Sequence, residues 1–153
     1  MIELVIFVGL QGAGKSSFYR HHYASTHAHV SKDLMRNNRN RERRQRHLVD
    51  EALAQGRSVV VDNTNPAPAD RAPLLAIGSA RGARLIGVFF DVPLRICMER
   101  NRRREGIARV PDVALRVTRS RLVPPTLEEG FDEIRRVHVD PQAGLEVERP
   151  GAD

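Results

Sequence analysis

Short apolar runs alternate along the chain with longer segments of mixed polarity. The continuous apolar runs at 4–8, 59–61 and 85–90 are typical of strands buried on both faces, as in a parallel sheet. The pattern predicts strands at Glu3–Val8, His29–Ser31, Ser58–Val61, Arg84–Phe90 and Arg135–Val139, and helices at Ser16–Ala24, Lys32–Ala54, Ala69–Ala80, Pro93–Arg104 and Pro111–Arg121. This alternation predicts an α/β fold: a central, mostly parallel sheet of about five strands flanked by helices.

The size of the chain, 153 residues, fits one domain, which we place at residues 1–139, with 140–153 as a loose C-terminal tail. No apolar run approaches the roughly 18 residues that cross a bilayer, so no membrane partner is expected. The N-terminus has no signal-peptide pattern. The single cysteine, Cys97, excludes an internal disulfide and favours a reducing compartment. A cytoplasmic location is therefore predicted.

Residues 9–16, GLQGAGKS, follow the first predicted strand directly and match the phosphate-binding pattern GxxxxGK[ST]. Glycines at 9, 12 and 14 allow the backbone to approach a ligand closely, and the following helix directs its positive end at an anion. Lys15 can reach the β- and γ-phosphates, and the Ser16 hydroxyl can ligate Mg²⁺. The segment predicts binding of a nucleoside triphosphate with Mg²⁺. The expected nucleotide contacts are Gly9, Gln11, Gly12, Ala13, Gly14, Lys15, Ser16 and Ser17.

The formal net charge is +6, and the positive residues fall into two clusters. Lys32–His47 holds seven Lys or Arg against two acidic residues, and Arg95–Arg121 holds nine Arg against three. Such clustering is typical of a protein that binds a polyanion. An arginine-biased, solvated surface would give the same composition.

Two carboxylates are expected at the edge of the sheet where ligands of parallel sheets bind. Asp62 follows the run VVV, in the usual position of a carboxylate that orients Mg²⁺ or an arginine. Asp33 follows the short strand at 29–31 and could take the proton of an acceptor hydroxyl. Arg36, three residues later, would share its helical face. Asp33 could equally be an N-cap.

Residues 99–106, ERNRRREG, crowd four arginines into five positions after a predicted helix. An arginine-bearing lid that closes over a triphosphate would have this composition, with Gly106 as its hinge. Arg100 and Arg104 would share a face if the segment stays helical. A solvated helix end, favoured by the helix dipole, is the alternative.

Several strings beyond the phosphate loop resemble the kinase domain of polynucleotide 5′-hydroxyl kinases, a family of nucleic-acid end-repair enzymes. They occur in the family's order and cover roughly residues 2–139. The matching strings are SKDLMR, VVVDNTNP, ADR, FFDVPLRICMERNRRREG, ARVPDVALR and RLVPPTLEEGFDEI. The resemblance implies a P-loop kinase fold with an Arg-rich lid.

The resemblance also implies roles for individual residues. Asp33 would be the general base for the 5′-hydroxyl, and Arg36 would hold the phosphate of the acceptor. Asp62, with Asn63 and Thr64, would form part of the acceptor site. Arg100 and Arg104 would contact the phosphates of the donor, while Lys15 and the Mg²⁺ ligand Ser16 keep the roles given above.

The sequence thus predicts transfer of the γ-phosphate of ATP, or another nucleoside triphosphate, to a 5′-hydroxyl of DNA or RNA. A P-loop kinase for a nucleoside, sugar or antibiotic stays open, as does a non-catalytic, nucleotide-gated module that binds nucleic acid. The chain has no DxDxT string, so the 3′-phosphatase activity of some family members is not implied.

Overall fold

The computed structural model describes residues 1–35, 39–106, 109–140 and 144–148. The strands are β1 (Glu3–Val8), β2 (His27–Val30), β3 (Ser58–Val61), β4 (Arg84–Asp91), β5 (Glu133–Asp140) and β6 (Gly144–Glu148). The helices are α1 (Lys15–His22), α2 (Arg41–Ala54), α3 (Pro68–Ala80), α4 (Leu94–Arg102) and α5 (Asp112–Arg121), with 3₁₀ turns at Lys32–Met35 and Leu127–Glu129.

The strands form one sheet in the order β2-β3-β1-β4-β5-β6. The first five run parallel, and β1 lies at the centre, with Leu4 opposite Val59 on one side and Leu85 on the other. Alternate residues of β1 enter two different cores: Val5 and Phe7 join one cluster, and Leu4, Ile6 and Val8 join the other. Both faces of the sheet are therefore covered, which confirms the predicted α/β fold.

The predicted helix Lys32–Ala54 is wrong as one continuous element. Residues Lys32–Met35 form a 3₁₀ turn, and α2 begins only at Arg41, where the side chain of Asn40 accepts a hydrogen bond from the Arg43 amide at 3.0 Å. Asn40 is a strong helix-capping residue, and it fixes this later start. Asp33 therefore does not cap α2, and Arg36 lies outside the described residues.

The C-terminal region also differs from the expected loose tail. Residues 144–148 form β6, which runs antiparallel to β5 with Leu145 opposite Val139 and Val147 opposite Val137. The alternation of apolar and acidic residues in LEVE is the pattern of a half-buried strand, and the prediction missed it. The domain limits of 1–139 stay a prediction.

Smaller shifts occur at element ends. Strand β2 starts at His27 and not at His29, and α4 ends at Arg102, so Arg104 lies beyond the helix. Pro93 and Pro111 stand at the N-cap positions of α4 and α5. Among the described residues, no helix has the length and apolar character needed to cross a membrane. The cytoplasmic location stays a prediction.

Candidate active site

The loop between β1 and α1 is shaped by glycines that no other residue could replace without strain. Gly12 and Gly14 have φ angles of 82° and 96°, in the left-handed region that side chains disfavour. A Cβ atom at Gly12 would also lie 2.5 Å from the carbonyl oxygen of Cys97 in α4. The chain can make this turn only without those side chains, and α1 then begins at Lys15 with its amide groups at the loop.

Lys15 is buried under the loop and folds back onto it. Its Nζ donates to the carbonyl oxygens of Gly9 at 2.9 Å and Leu10 at 2.6 Å. Burial lowers the pKa of Lys15 to about 8, although the negative charge of Asp62 opposes that shift. The ammonium is thus held by neutral carbonyl oxygens, and a phosphate, which is a stronger acceptor because it is charged, could replace them.

Asp62, at the end of β3, connects the loop to the sheet. Ser16 Oγ donates to its Oδ2 at 2.8 Å, and Nε2 of His29 lies at 2.8 Å from the same oxygen. Burial would raise the pKa of Asp62, but hydrogen bonds from His29 and Ser16, with the charge of Lys15, outweigh it and hold the pKa below its ordinary value. Asp62 is therefore an ionised carboxylate beside the Ser16 hydroxyl.

The segment after Asp62 is fixed to the sheet and to the phosphate loop. The Thr64 carbonyl accepts from the Gly9 amide at 3.0 Å, and the side chain of Asn65 donates to the Phe7 carbonyl at 2.8 Å. Asn65 has a φ of 42°, a left-handed conformation that Asn tolerates better than most residues. These contacts hold the two loops at a fixed separation.

Arg71 supports this segment from behind. Its side chain is fully buried and pairs with both carboxylate oxygens of Glu129, at 2.8 and 3.0 Å. It also donates to the carbonyl oxygens of Asn65, at 2.9 Å, and Val123, at 3.0 Å. One guanidinium thus joins α3 to the Leu127–Glu129 turn and to the loop that carries Asp62.

The two loops form one side of a cleft of about 780 Å³ at the carboxyl ends of the parallel strands. The opposite walls come from the 3₁₀ turn, the start of α2, the segment after α4 and the end of α5. The polar and charged side chains in these walls are Gln11, Lys15, Ser16, Arg20, Lys32, Asp33, Arg41, Glu42, Asp62, Asn63, Thr64, Asn65, Asp70, Arg104 and Arg121.

Asp33 faces this cleft from the 3₁₀ turn. Its carboxylate is exposed and has no hydrogen-bond partner among the described residues, while its backbone amide donates to Ser31 Oγ at 3.3 Å. The turn is tied to the segment after β3, because the Lys32 amide donates to the Asn63 side chain at 2.9 Å and Asn63 in turn contacts Gln45 of α2. The carboxylate of Asp33 is thus held in the wall and left open to solvent.

The segment after α4 is anchored at its base. The fully buried side chain of Asn101 donates to the Val110 carbonyl at 2.6 Å and accepts from the Val110 amide at 3.0 Å. Arg104 lies in the cleft wall, and its role as a lid arginine stays a prediction. Arg100 does not belong to the cleft wall among the described residues; it sits half-buried on α4. Burial raises the pKa of the nearby Cys97 thiol, and the charges of Lys15 and Arg100 only partly oppose that rise.

The sequence-predicted residues therefore separate into groups. Lys15, Ser16, Asp33, Asp62, Asn63, Thr64 and Arg104, with Gln11 and Gly12, meet at the cleft. Gly9 and Ala13 are buried under the loop, Gly14 precedes α1, and Ser17 is exposed on α1, where it contacts Arg20. Because α4 ends at Arg102, Arg104 lies beyond the helix and does not share a helical face with Arg100.

Four residues with clear roles at the site were missed. His29 entered the sequence analysis only as the first residue of a predicted strand, and Asn65, Arg71 and Asn101 only as parts of matching strings. The one sequence feature that could have indicated a role for these four residues is their position beside the motif residues. Their partners lie up to 58 residues away in the sequence and cannot be identified from local patterns.

The oxygen donors at the cleft fit a magnesium ion. Among the described residues, no cluster of three or more His, Cys, Asp or Glu could hold a metal ion alone. Mg²⁺ commonly takes only one or two protein ligands and completes its shell with water and substrate phosphates. The Ser16 hydroxyl next to the ionised Asp62 is a donor set of that kind.

A glycine-bent loop, a buried lysine, a paired serine and aspartate, and a parallel sheet together define a P-loop kinase domain. The model of the AAA domain family matches residues 4–125, most of the chain. The chain belongs to that family.

Comparison with known proteins gives two kinds of relative. A bifunctional polynucleotide phosphatase/kinase of Schizosaccharomyces pombe is 27% identical over 149 residues, covering 88% of this chain and 33% of that protein. The chain spans about a third of the length of the curated relatives it matches. The resemblance to polynucleotide kinases found in the sequence is thus confirmed as a similarity.

Among solved structures, the Mycobacterium tuberculosis APS kinase CysC in complex with AMPPNP and APS matches at 25% identity and a TM-score of 0.54, over 67% of this chain and 69% of that one. Chaetomium thermophilum Kti12 in complex with ADP-AlF3 matches at 15% identity and a TM-score of 0.70, over 90% of this chain and 89% of that one. The second match shows the shared fold only. These similarities establish the P-loop kinase class and leave the acceptor unresolved.

Proposed function

We propose that this domain transfers the γ-phosphate of ATP, or of another nucleoside triphosphate, to the 5′-hydroxyl end of DNA or RNA. The observation that carries the proposal is the position of Asp33 in the same cleft as Lys15 and Ser16. Its exposed carboxylate, without a partner among the described residues, is available to an incoming hydroxyl.

The chemistry follows from the residues in the cleft walls. The loop amides and Lys15 would hold the donor phosphates, with Ser16 and Asp62 holding Mg²⁺, which neutralises phosphate charge when bound. Asp33 accepts the proton of the acceptor hydroxyl while the oxygen of that hydroxyl bonds to the γ-phosphorus. The bond between the γ-phosphorus and the oxygen that bridges to the β-phosphate breaks at the same time. The nucleoside diphosphate leaves, and Arg104 offsets the charge that spreads over the transferred group.

The start of α2 supports a polyanionic acceptor. Arg41, Arg43 and Arg44 are exposed, and their guanidinium groups have no ion pair or hydrogen bond among the described residues. They lie at the positive end of the helix dipole, where cations are unfavourable. The acidic residues of α2 do not neutralise them, because Glu42, Asp50 and Glu51 pair with Lys32, Arg81 and His47. Unpaired arginines in a position that costs stability favour a function in binding, and Arg41 faces the cleft itself.

A phosphate-rich strand would suit this surface, since arginine donates two parallel hydrogen bonds to a phosphate. The similarity to a polynucleotide phosphatase/kinase supports the same acceptor. Arg36, predicted to hold an acceptor phosphate, stays part of the proposal on sequence alone, and so does the contact of Arg100 with the donor.

The test is transfer of radiolabelled γ-phosphate to matched DNA and RNA oligonucleotides with 5′-hydroxyl ends, run beside free nucleosides and sugars. Asp33→Asn should lower the transfer rate by about 10²- to 10⁴-fold, because the amide cannot take the proton, while nucleotide affinity stays unchanged. The control is Asp50→Asn, which removes an exposed carboxylate on α2 and should leave the rate unchanged. Full turnover of Asp33→Asn would remove the general-base assignment.

A small-molecule acceptor is the second candidate. The match to an APS kinase at 25% identity favours it, because that protein has a related fold and was solved with APS. Label that appears in a nucleoside or sugar, and never at an oligonucleotide end, would select this alternative. Binding of oligonucleotides without any transfer would indicate a non-catalytic module.

A further inference from the structure

His29 contacts the same carboxylate oxygen of Asp62 as Ser16 does. It lies near the end of the edge strand β2, with its side chain 25% exposed, and its Nε2 is 2.8 Å from Asp62 Oδ2. Because Asp62 is ionised and can only accept, Nε2 carries the proton and donates it. The imidazole thus has a defined direction at this contact.

The ring of His29 is also held from a second side. Tyr19 stacks on it with a centroid distance of 4.0 Å and an interplanar angle of 14°. The Tyr19 hydroxyl donates to the backbone oxygen of His27 at 2.6 Å, so Tyr19 is itself fixed to β2. Tyr19 and Ser16 stand three residues apart on α1, and both therefore face β2 and β3.

The two hydrogen bonds to Asp62 end on one oxygen. Ser16 Oγ and His29 Nε2 both lie 2.8 Å from Oδ2, while Oδ1 has no hydrogen-bond partner among the described residues. Two donors on one oxygen restrict the rotation of the carboxylate. Because the Ser16 hydroxyl donates its hydrogen bond to Asp62, the lone pairs of its oxygen stay available to another partner.

We propose that His29 is a positioning residue for the magnesium–nucleotide complex, acting through Asp62 on the orientation of the Ser16 hydroxyl. This inference deepens the proposed function at its nucleotide end and rests on nucleotide binding alone. It holds for any acceptor. Partners that orient the ligands of a metal typically contribute 10- to 100-fold in metal affinity or activity.

The same strand provides a matched control. His27 lies two residues earlier on the same face of β2 and also contacts a carboxylate, Glu3, at 2.8 Å. That pair lies at the opposite end of the strand from the cleft. If His29 only braced β2, loss of either histidine would have a similar effect.

The experiment measures binding of mant-labelled ADP as Mg²⁺ is titrated, with no acceptor present. His29→Ala should raise the half-saturating Mg²⁺ concentration about 10- to 100-fold and leave metal-free nucleotide affinity unchanged. His29→Gln should restore most of the Mg²⁺ response, because its amide can donate from about the position of Nε2. His29→Asn, whose amide corresponds to Nδ1, should not restore it, and His27→Ala should bind like the unaltered protein.

Two results would overturn the inference. One is an unchanged Mg²⁺ dependence in His29→Ala. The other is an equal loss in His29→Ala, His29→Gln and His27→Ala together with a lowered melting temperature, which would assign His29 to strand stability. Absence of phosphate transfer to oligonucleotides would contradict the proposed function and leave the Mg²⁺ titration unaffected.

Discussion

The nucleotide side of the cleft, residues 9–17 with Asp62 and Asn65, differs sharply from the acceptor side, residues 32–35 and 39–46. On the nucleotide side Lys15, Ser16, Asp62 and Asn65 each have hydrogen-bond partners within the chain. On the acceptor side the Asp33 carboxylate and the guanidinium of Arg41 have none among the described residues. The first is assembled before any ligand arrives, and the second leaves its charged groups open.

The difference fits the proposed function, in which one side binds a triphosphate and the other a polyanionic acceptor. A triphosphate presents the same oxygens in every nucleotide, so a rigid cradle can be preorganised for it at no cost in selectivity. An acceptor is recognised through charges that stay solvated until it binds. The nucleotide side should therefore respond to substitution through stability and pH, and the acceptor side through ionic strength.

The strongest test of the rigid side is Arg71→Leu. Removing this buried guanidinium leaves Glu129 and two backbone carbonyls without their partner, so the free energy of unfolding should fall by about 3–5 kcal/mol. Urea unfolding followed by circular dichroism measures it. The control is Arg81→Leu, which breaks a pair of similar geometry with Asp50 on the exposed surface and should lower the free energy of unfolding far less, because solvent screens the two charges. An equal fall in the free energy of unfolding for Arg71→Leu and Arg81→Leu would contradict the proposed rigidity of the nucleotide side.

Lys15 gives a test by pH. Its pKa of about 8 in the free protein should rise when phosphates bind, because negative charge favours the protonated ammonium. Nucleotide binding above pH 8 should therefore take up a proton, and affinity should fall about tenfold between pH 7 and 9. Calorimetry in buffers of different ionisation enthalpy measures the uptake. Lys15→Met should bind weakly with no uptake at this position, and an equal uptake in that variant would assign the proton to another group.

The acceptor side should respond to salt. Arg41 and Arg44 lie three residues apart on α2, so replacing both with Gln should reduce the slope of log KM for a single-stranded acceptor against log salt by about 1.4. Between 50 and 200 mM salt this corresponds to a change of roughly sevenfold. The double variant Arg57→Gln/Arg84→Gln, at the opposite ends of the strands, is the control. An identical slope in both variants would remove α2 from the acceptor surface. Protein stability should not fall, because these cations oppose the helix dipole.

Local patterns predicted most of the sheet and the phosphate loop. The apolar runs of β1, β3 and β4 need no long-range information, and GLQGAGKS encodes its own turn through Gly12 and Gly14. Placing Asp62 at a strand end followed from the same reasoning. These features depend on residues that are close in the sequence.

The remaining features depend on residues that are distant in the sequence. Ser16 and Asp62 are 46 residues apart, and Gln11 contacts Thr118 across 107 residues. The break before α2 depends on Asn40 as a cap, which the helical pattern of the surrounding residues conceals. Strand β6 pairs with β5, and β5 in turn pairs with β4, so the place of β6 in the sheet depends on the place of β5.

The buried amide of Asn101 binds both backbone groups of Val110, and thereby joins the end of α4 to the approach of α5. These two hydrogen bonds hold the end of α4 next to the start of α5 and do not involve the side chains of the residues between them. Stretches of different length or composition could be exchanged between them without repacking the domain. Changes in this segment can therefore alter the cleft wall that carries Arg104 while the helices on either side stay in place.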